Sequence, residues 1–313
     1  MNAQRQPGGN RGAAKAAALL GAVEAGGTKV ICAVGREDAV LAETRIPTTD
    51  PARTLGAALE FFRAQRAALG PVRALGIASF GPIELDRASP AWGCVLDTPK
   101  PHWNHAPLVR PFAEELGCPV GFDTDVNGAA LAELQSGAGR GLQSLAYITV
   151  GTGIGVGLIS HGRCVHGMLH PEAGHIFPRR HALDAGFAGT CPFHGDCLEG
   201  LACGPAIAAR TGLPAEALGA AHPAWIIEAD YLGQLCAHLV LTHSPQRIVL
   251  GGGVMAQQGL IEAVRARMLH WLGGYIKRPA LADGAARYVV PPGLGTRSGI
   301  MGAFALAAAA AGS

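Results

Sequence analysis

The residues best suited to chemistry in this 313-residue chain are glycine clusters, a few isolated carboxylates, and a knot of cysteine and histidine. Gly26-Gly27-Thr28-Lys29 offers consecutive backbone N–H groups with a hydroxyl and an ammonium. Gly151-Thr152-Gly153-Ile154-Gly155 offers the same donors with the Thr152 hydroxyl. Lacking a Cβ, such turns let several N–H groups converge on one anion, so each could cradle a phosphate. Neither is a Gly-x4-Gly-Lys-Ser/Thr loop, and neither runs from strand to helix as a dinucleotide fingerprint does. Taken singly, each reads equally as a tight hairpin. At equivalent places in a repeated pattern, the two point to facing turns around one polyphosphate. A third cluster, Gly251-Gly252-Gly253-Val254-Met255, joins a strand to a helix. A nucleoside or phosphate could lie there against backbone, or glycine could simply make the turn.

Cys191-x2-His194-x2-Cys197 puts three soft or borderline ligands within seven residues. Zinc takes four such ligands tetrahedrally, in closed sites that are structural. The fourth donor stays open among His175, His170, His181 and Cys203. Eight cysteines in so long a chain are too dilute for a disulfide scaffold, so a reducing cytoplasm with one metal site is expected. Asp125 follows the apolar Val120-Gly-Phe at the head of a predicted helix. A carboxylate fixed there could face a cleft and accept a hydroxyl proton in phosphoryl transfer, or it could only cap the helix.

The elements that must position these groups follow from composition and periodicity. Hydrophobic residues make up 49% and charged residues 15%, a balance that buries a core and argues against disorder. The length favours two lobes and hence a cleft. A net charge of +2, with no Lys/Arg run, excludes the footprint of a nucleic-acid binder. No stretch reaches the ~20 apolar residues of a membrane span. The short apolar run at 16–23 leads straight into Glu24 without a polar cleavage region, so it is not read as a signal peptide. Residues 1–17 read as a disordered tail. Strands are predicted at Leu19–Glu24, Val30–Gly35, Leu41–Pro47, Val72–Ser79 and Pro119–Asp123, with helices at Pro51–Leu69, Leu108–Leu116 and Asn127–Ser136. The grammar then restarts with strands Leu145–Val150 and Val156–Ser160 about a glycine turn, which suggests an internal repeat. A Pro/Gly/Cys/His-rich stretch, 162–204, interrupts the second copy. Helices at Pro205–Arg210 and Trp225–Thr242, a strand at Arg247–Leu250, a helix from the triple glycine to about Leu272 and an alanine-rich helix at Gly299–Ala311 complete it.

Together, Glu24-Ala-Gly-Gly-Thr-Lys29, Asp123-Thr-Asp-Val-Asn127, Gly151-Thr-Gly-Ile-Gly155, His170-Pro-Glu-Ala-Gly-His175 and Cys191-Pro-Phe-His-Gly-Asp-Cys-Leu-Glu199 resemble the ROK family of repressors, open-reading-frame proteins and sugar kinases. Ser79-Phe-Gly-Pro82, Thr98-Pro-Lys-Pro101 and the Cys-x2-His-x2-Cys spacing make the chain most like its bacterial fructokinases. The resemblance, over residues 19 to 312, implies an α/β fold of the actin/hexokinase (ribonuclease H-like) type with internal duplication. Its lobes would be 18–123, with the terminal helix 297–313 packed on it, and 124–296, carrying a zinc loop at 162–204. It implies an ATP-dependent hexose kinase, with fructose the leading acceptor and mannose, glucose or N-acetylmannosamine the alternatives.

By the same resemblance Asp125 is the catalytic base, and Glu172, His175 and Glu199 hydrogen-bond sugar hydroxyls, a task that suits carboxylates because each accepts two protons in a fixed plane. His175 becomes the fourth zinc ligand beside Cys191, His194 and Cys197, and one of its nitrogens could face the sugar. ATP falls to Gly26, Gly27, Thr28, Lys29, Gly151, Thr152, Gly153, Pro205, Gly251, Gly252, Gly253, Val254 and Met255. Pro205 reads equally as an ordinary first-turn helix proline. Magnesium is implied by ATP chemistry, and Glu24, where the family usually has Asp, could reach it through water. Thr124, where family kinases often carry Asn, puts glucose selectivity in doubt. Dimers are common in the family. A sugar-sensing repressor is not expected, because the residues ahead of the first strand hold no helix pair. A zinc hydrolase is not expected either, because a thiolate-rich closed site leaves no open position for water.

Overall fold

A computed structural model describes residues 18–36 and 39–312, so the expected tail lies outside the described residues. The first half runs β1 (Leu20–Ala25), β2 (Lys29–Arg36), β3 (Ala39–Pro47), α1 (Pro51–Leu69), β4 (Ala74–Ser79), α2 (Val109–Leu116), β5 (Val120–Thr124) and α3 (Asp125–Ser136). The second runs β6 (Leu145–Val150), β7 (Ile154–Ser160), β8 (Arg163–Cys164), α4 (Leu198–Ala202), α5 (Gly204–Thr211), α6 (Ala224–Thr242), β9 (Ile248–Gly251), α7 (Leu260–Leu272), β10 (Val289–Val290) and α8 (Ser298–Ala311).

The two sheets have one topology. The first is ordered β3-β2-β1-β4-β5 and the second β8-β7-β6-β9-β10. In each, three antiparallel strands are continued by two parallel ones. The expected repeat is thus a repeat of connectivity. β1 and β4, inside the first sheet, are buried almost throughout, while the edge strand β3 alternates between exposed and half-buried residues, with Glu43 and Arg45 on its exposed face.

The last helix of each half crosses to the other. α8 packs on β1, β4 and β5, and α3 packs on β6 and β7 and against α8. Glycine permits this close approach. A Cβ on Gly76 of β4 would lie 1.8 Å from the Ala303 carbonyl oxygen, and one on Gly302 would lie 2.2 Å from the Gly128 backbone. The C-terminal ends of β1, β4 and β5 therefore open beside the start of α3.

Some boundaries differ from expectation. β8 and β10 have two residues each, too short to carry a period. After the triple glycine the chain makes a 3-10 turn, Gly253–Ala256, and α7 begins only at Leu260, behind Gly259 at φ +79°.

Candidate active site

Register at the end of the first sheet sets the chemistry. Glu24 on β1 pairs with Ala78 on β4, and Ala78 with Asp123 on β5. Ligands of open α/β sheets bind at such carboxyl ends. The last residue of β5, Thr124, caps α3, its Oγ1 accepting the Asn127 N–H at 3.1 Å. The cap is therefore Thr124 and not Asp125, whose carboxylate accepts the adjacent Val126 N–H at 2.8 Å. Burial, with Glu24 nearby, pushes Asp125 from 3.8 up to about 7, against the opposing pull of the Val126 bond. Burial also raises Glu24, although Lys29 opposes it.

Asp123 anchors this turn. It accepts from the Thr124 N–H and from Asn127 Nδ2, both at 2.8 Å, and pairs with His166 Nε2 at 3.0 Å. Asn127 Oδ1 accepts the Leu158 N–H at 3.2 Å, so the start of α3 is tied to β7. His166 is a neighbour that the sequence did not single out.

Glu172 and Glu199 enter from the second half. Burial raises Glu172 to about 7, reinforced by the nearby charges of Glu199 and Asp125. Glu199, in the first turn of α4, accepts the Ile154 N–H at 2.9 Å, and a Cβ on Gly153 would lie 2.5 Å from that oxygen. The second glycine turn and Glu199 are thus locked together.

His175 links Glu199 to the cysteine cluster. Its Nε2 is 3.9 Å from Glu199 Oε1, and its Nδ1 is 3.4 Å from Cys197 Sγ and 3.8 Å from Cys191 Sγ. His194 Nδ1 lies 3.6 Å from Cys191 Sγ, and the four donor atoms are all within 4.8 Å of one another. All eight cysteines are free. Two thiols and two imidazoles converging so closely could hold a tetrahedral zinc. Of the competing donors, His170 is engaged with Ile83 and Glu172, and His181 Nδ1 accepts the Leu183 N–H at 3.2 Å; neither belongs to the group of four, nor does Cys203.

Beyond Gly153 a cleft of about 600 Å³ opens in the second half. Gly151, Thr152, Gly204, Pro205, Gly253 and Val254 line it, with Trp225, Pro214 and Gln257 among its other walls. Gly251, Gly252 and Met255 do not. A Cβ on Gly251 would meet the Pro292 ring at 2.7 Å, Gly252 sits at φ +99° against the Val150 backbone, and Met255 packs on the core. Their glycines serve close packing. The first turn, Gly26 to Lys29, lies outside this cleft and is closed by Gly26 N–H to Lys29 O at 3.0 Å. Lys100 Nζ donates to the Gly27 carbonyl and lies 5.9 Å from the Phe80 ring centroid. Its position next to the turn was not read from Thr98-Pro-Lys-Pro101, because the contact spans 73 residues.

Two duplicated sheets, a glycine turn after the first strand of each and carboxylates at the strand ends define an actin-like, two-lobe α/β fold. The chain belongs to the ROK family, whose model matches residues 20–310. It is 46% identical over 301 residues to a fructokinase of Zymomonas mobilis subsp. mobilis, covering 93% of this chain and 97% of that protein. To a fructokinase of Streptococcus mutans it is 41% identical over 293 residues, covering 92% and 97%. Among solved structures it resembles a ROK hexokinase from Thermus thermophilus, with TM-score 0.75, 28% identity and coverage of 93% and 98%. A ROK family glucokinase from Streptomyces griseus in complex with glucose and AMPPNP gives TM-score 0.70, 26% identity and coverage of 93% and 99%.

Proposed function

We propose that this protein is an ATP-dependent fructokinase, converting D-fructose and ATP to D-fructose 6-phosphate and ADP. The observation that carries the mechanism is Asp125, released from capping by Thr124 and raised to about 7 by burial, with Glu172 nearby. A base poised near the working pH combines a large ionised fraction with enough basicity to take a proton. Asp125 removes the proton of the C6 hydroxyl as its oxygen attacks the γ-phosphorus, and the bond to the β–γ bridging oxygen breaks to release ADP.

The fructokinases named above, at 41% and 46% identity, support fructose over mannose, glucose and N-acetylmannosamine. Glu172, Glu199 and His175 Nε2 would hold sugar hydroxyls. Gly151 to Gly153 and Gly26 to Lys29 would take the phosphates, and the cleft walled by Pro205, Gly253 and Val254 would take the nucleoside. Glu24 would hold magnesium through water, and the ion would supply charge neutralisation on the transferring phosphates. Zinc on His175, Cys191, His194 and Cys197 would hold the 3-10 turn that carries His175 beside the start of α4. We assign 18–123 with α8 to one lobe and 124–296 to the other, in a cytoplasmic enzyme. Among the described residues, no helix is long and apolar enough to cross a membrane.

The test is a coupled ADP-release assay with the four sugars, run on wild type and Asp125→Ala. Fructose should give the highest kcat/KM, and the variant should lose 10²- to 10⁴-fold, the usual contribution of a positioned base. Equal rates for the two proteins would overturn the assignment.

A further inference from the structure

We propose that His170 is a positioning residue for the hexose, fixing Glu172 by bonding it to the backbone of the other half of the molecule. The inference rests on the reading of Glu172 as a hexose ligand.

His170 is 5% exposed, yet both ring nitrogens are engaged. Its Nε2 accepts the N–H of Ile83 at 3.1 Å, a contact spanning 87 residues. Ile83 is fully buried, and a buried backbone donor needs an acceptor. Because Nε2 is an acceptor, the ring proton sits on Nδ1, which lies 3.3 Å from Glu172 Oε1, within reach of that carboxylate. Burial lowers the basicity of His170 further, consistent with a neutral ring. The backbone of the first half thereby selects the tautomer that grips the carboxylate of the second.

The partner segment is itself held. Phe80 N–H donates to the Ala25 carbonyl at 2.8 Å, and Ile83 bridges to Val95. Gly81 leaves the space this needs, since a Cβ there would lie 3.1 Å from His170 Cε1 and 3.2 Å from Glu172 Oε1. With Oε1 held, Glu172 keeps Oε2 for a sugar hydroxyl in one orientation. Glu172 is a loop carboxylate, its side chain 40% exposed, and without His170 it is free to turn away.

Two substitutions separate the ring's two bonds. His170→Gln can keep the acceptor for Ile83 but loses the Nδ1 donor, whereas His170→Asn keeps a donor at the Nδ1 position and loses the acceptor. Steady-state kinetics should show the hexose KM of His170→Gln raised about tenfold, the effect of one hydrogen bond to a charged group, with the ATP KM unchanged. His170→Asn should melt at a lower temperature but hold the hexose KM within about threefold. Glu172→Ala should raise the hexose KM, and adding His170→Gln to it should change nothing more. A Glu172→Ala protein with unaltered hexose KM would remove the underlying reading. A raised KM in Glu172→Ala with an unaltered KM in His170→Gln would overturn this inference alone, as would equal rises in hexose and ATP KM.

Discussion

Replacing Asp125 by Asn should do two things at once: abolish most activity and stabilise the fold at alkaline pH. An unfolded aspartate loses its proton near 3.8, whereas in the folded chain burial delays that loss to about 7. Between those values the folded state holds a proton that the unfolded state has released, so stability falls as pH rises, and the loss is complete above about 7. At 1.36 kcal/mol per pH unit the displacement corresponds to at most about 4 kcal/mol, reduced by whatever solvent in the cleft screens the charge. Asparagine removes that cost. It keeps an oxygen for the Val126 N–H, and the helix cap belongs to Thr124 and is untouched. At about 2 °C per kcal/mol for a chain of this size, Asp125→Asn should melt about 2–6 °C above wild type at pH 8 and level with it at pH 4. The assays are thermal scans without nucleotide or magnesium at both pH values, beside turnover with fructose. Activity should fall 10²- to 10⁴-fold, or about 3–5 kcal/mol of transition-state stabilisation. Wild-type kcat/KM for fructose should rise with pH through about 7. A variant with lower Tm than wild type at pH 8, or with wild-type turnover, would refute the reasoning.

The other expectations rest on separate parts of the structure. Metal analysis should find about one zinc per chain, and Cys197→Ser, or chelation strong enough to strip it, should lower Tm and raise the hexose KM together, because His175 is shared between the cluster and Glu199. Thr124→Val should lower stability by about 1–2 kcal/mol through loss of the α3 cap, read from denaturant midpoints. Gly153→Ala should raise the hexose KM severalfold in steady-state kinetics, because the added methyl displaces the Glu199 oxygen that accepts the Ile154 N–H.

Much of the scaffold was legible because β1, β2, β6 and β7 are apolar runs punctuated by glycine, and the restart of that grammar at Leu145 anticipated the duplicated sheets. The short elements were not. Two residues of β10 carry no period, and α4 is five residues inside a stretch rich in Pro and Gly. Local chemistry also competes with itself: Thr124 and Asp125 are both good caps, and only the Asn127 N–H bond shows which one serves. Of the glycines at 251–253, Gly253 lines the cleft, while Gly251 and Gly252 answer to Pro292 and Val150, neighbours that sequence spacing cannot reveal. His170 was visible as a candidate metal ligand, but its partner on the other half lies 87 residues away.

The most direct test of the central claim is the product formed by the purified protein from ATP, magnesium and an equimolar mixture of fructose, mannose and glucose, followed by phosphorus and carbon NMR. Fructose 6-phosphate should accumulate first and in step with ADP. ADP without sugar phosphate, or a mixture led by glucose 6-phosphate, would contradict it.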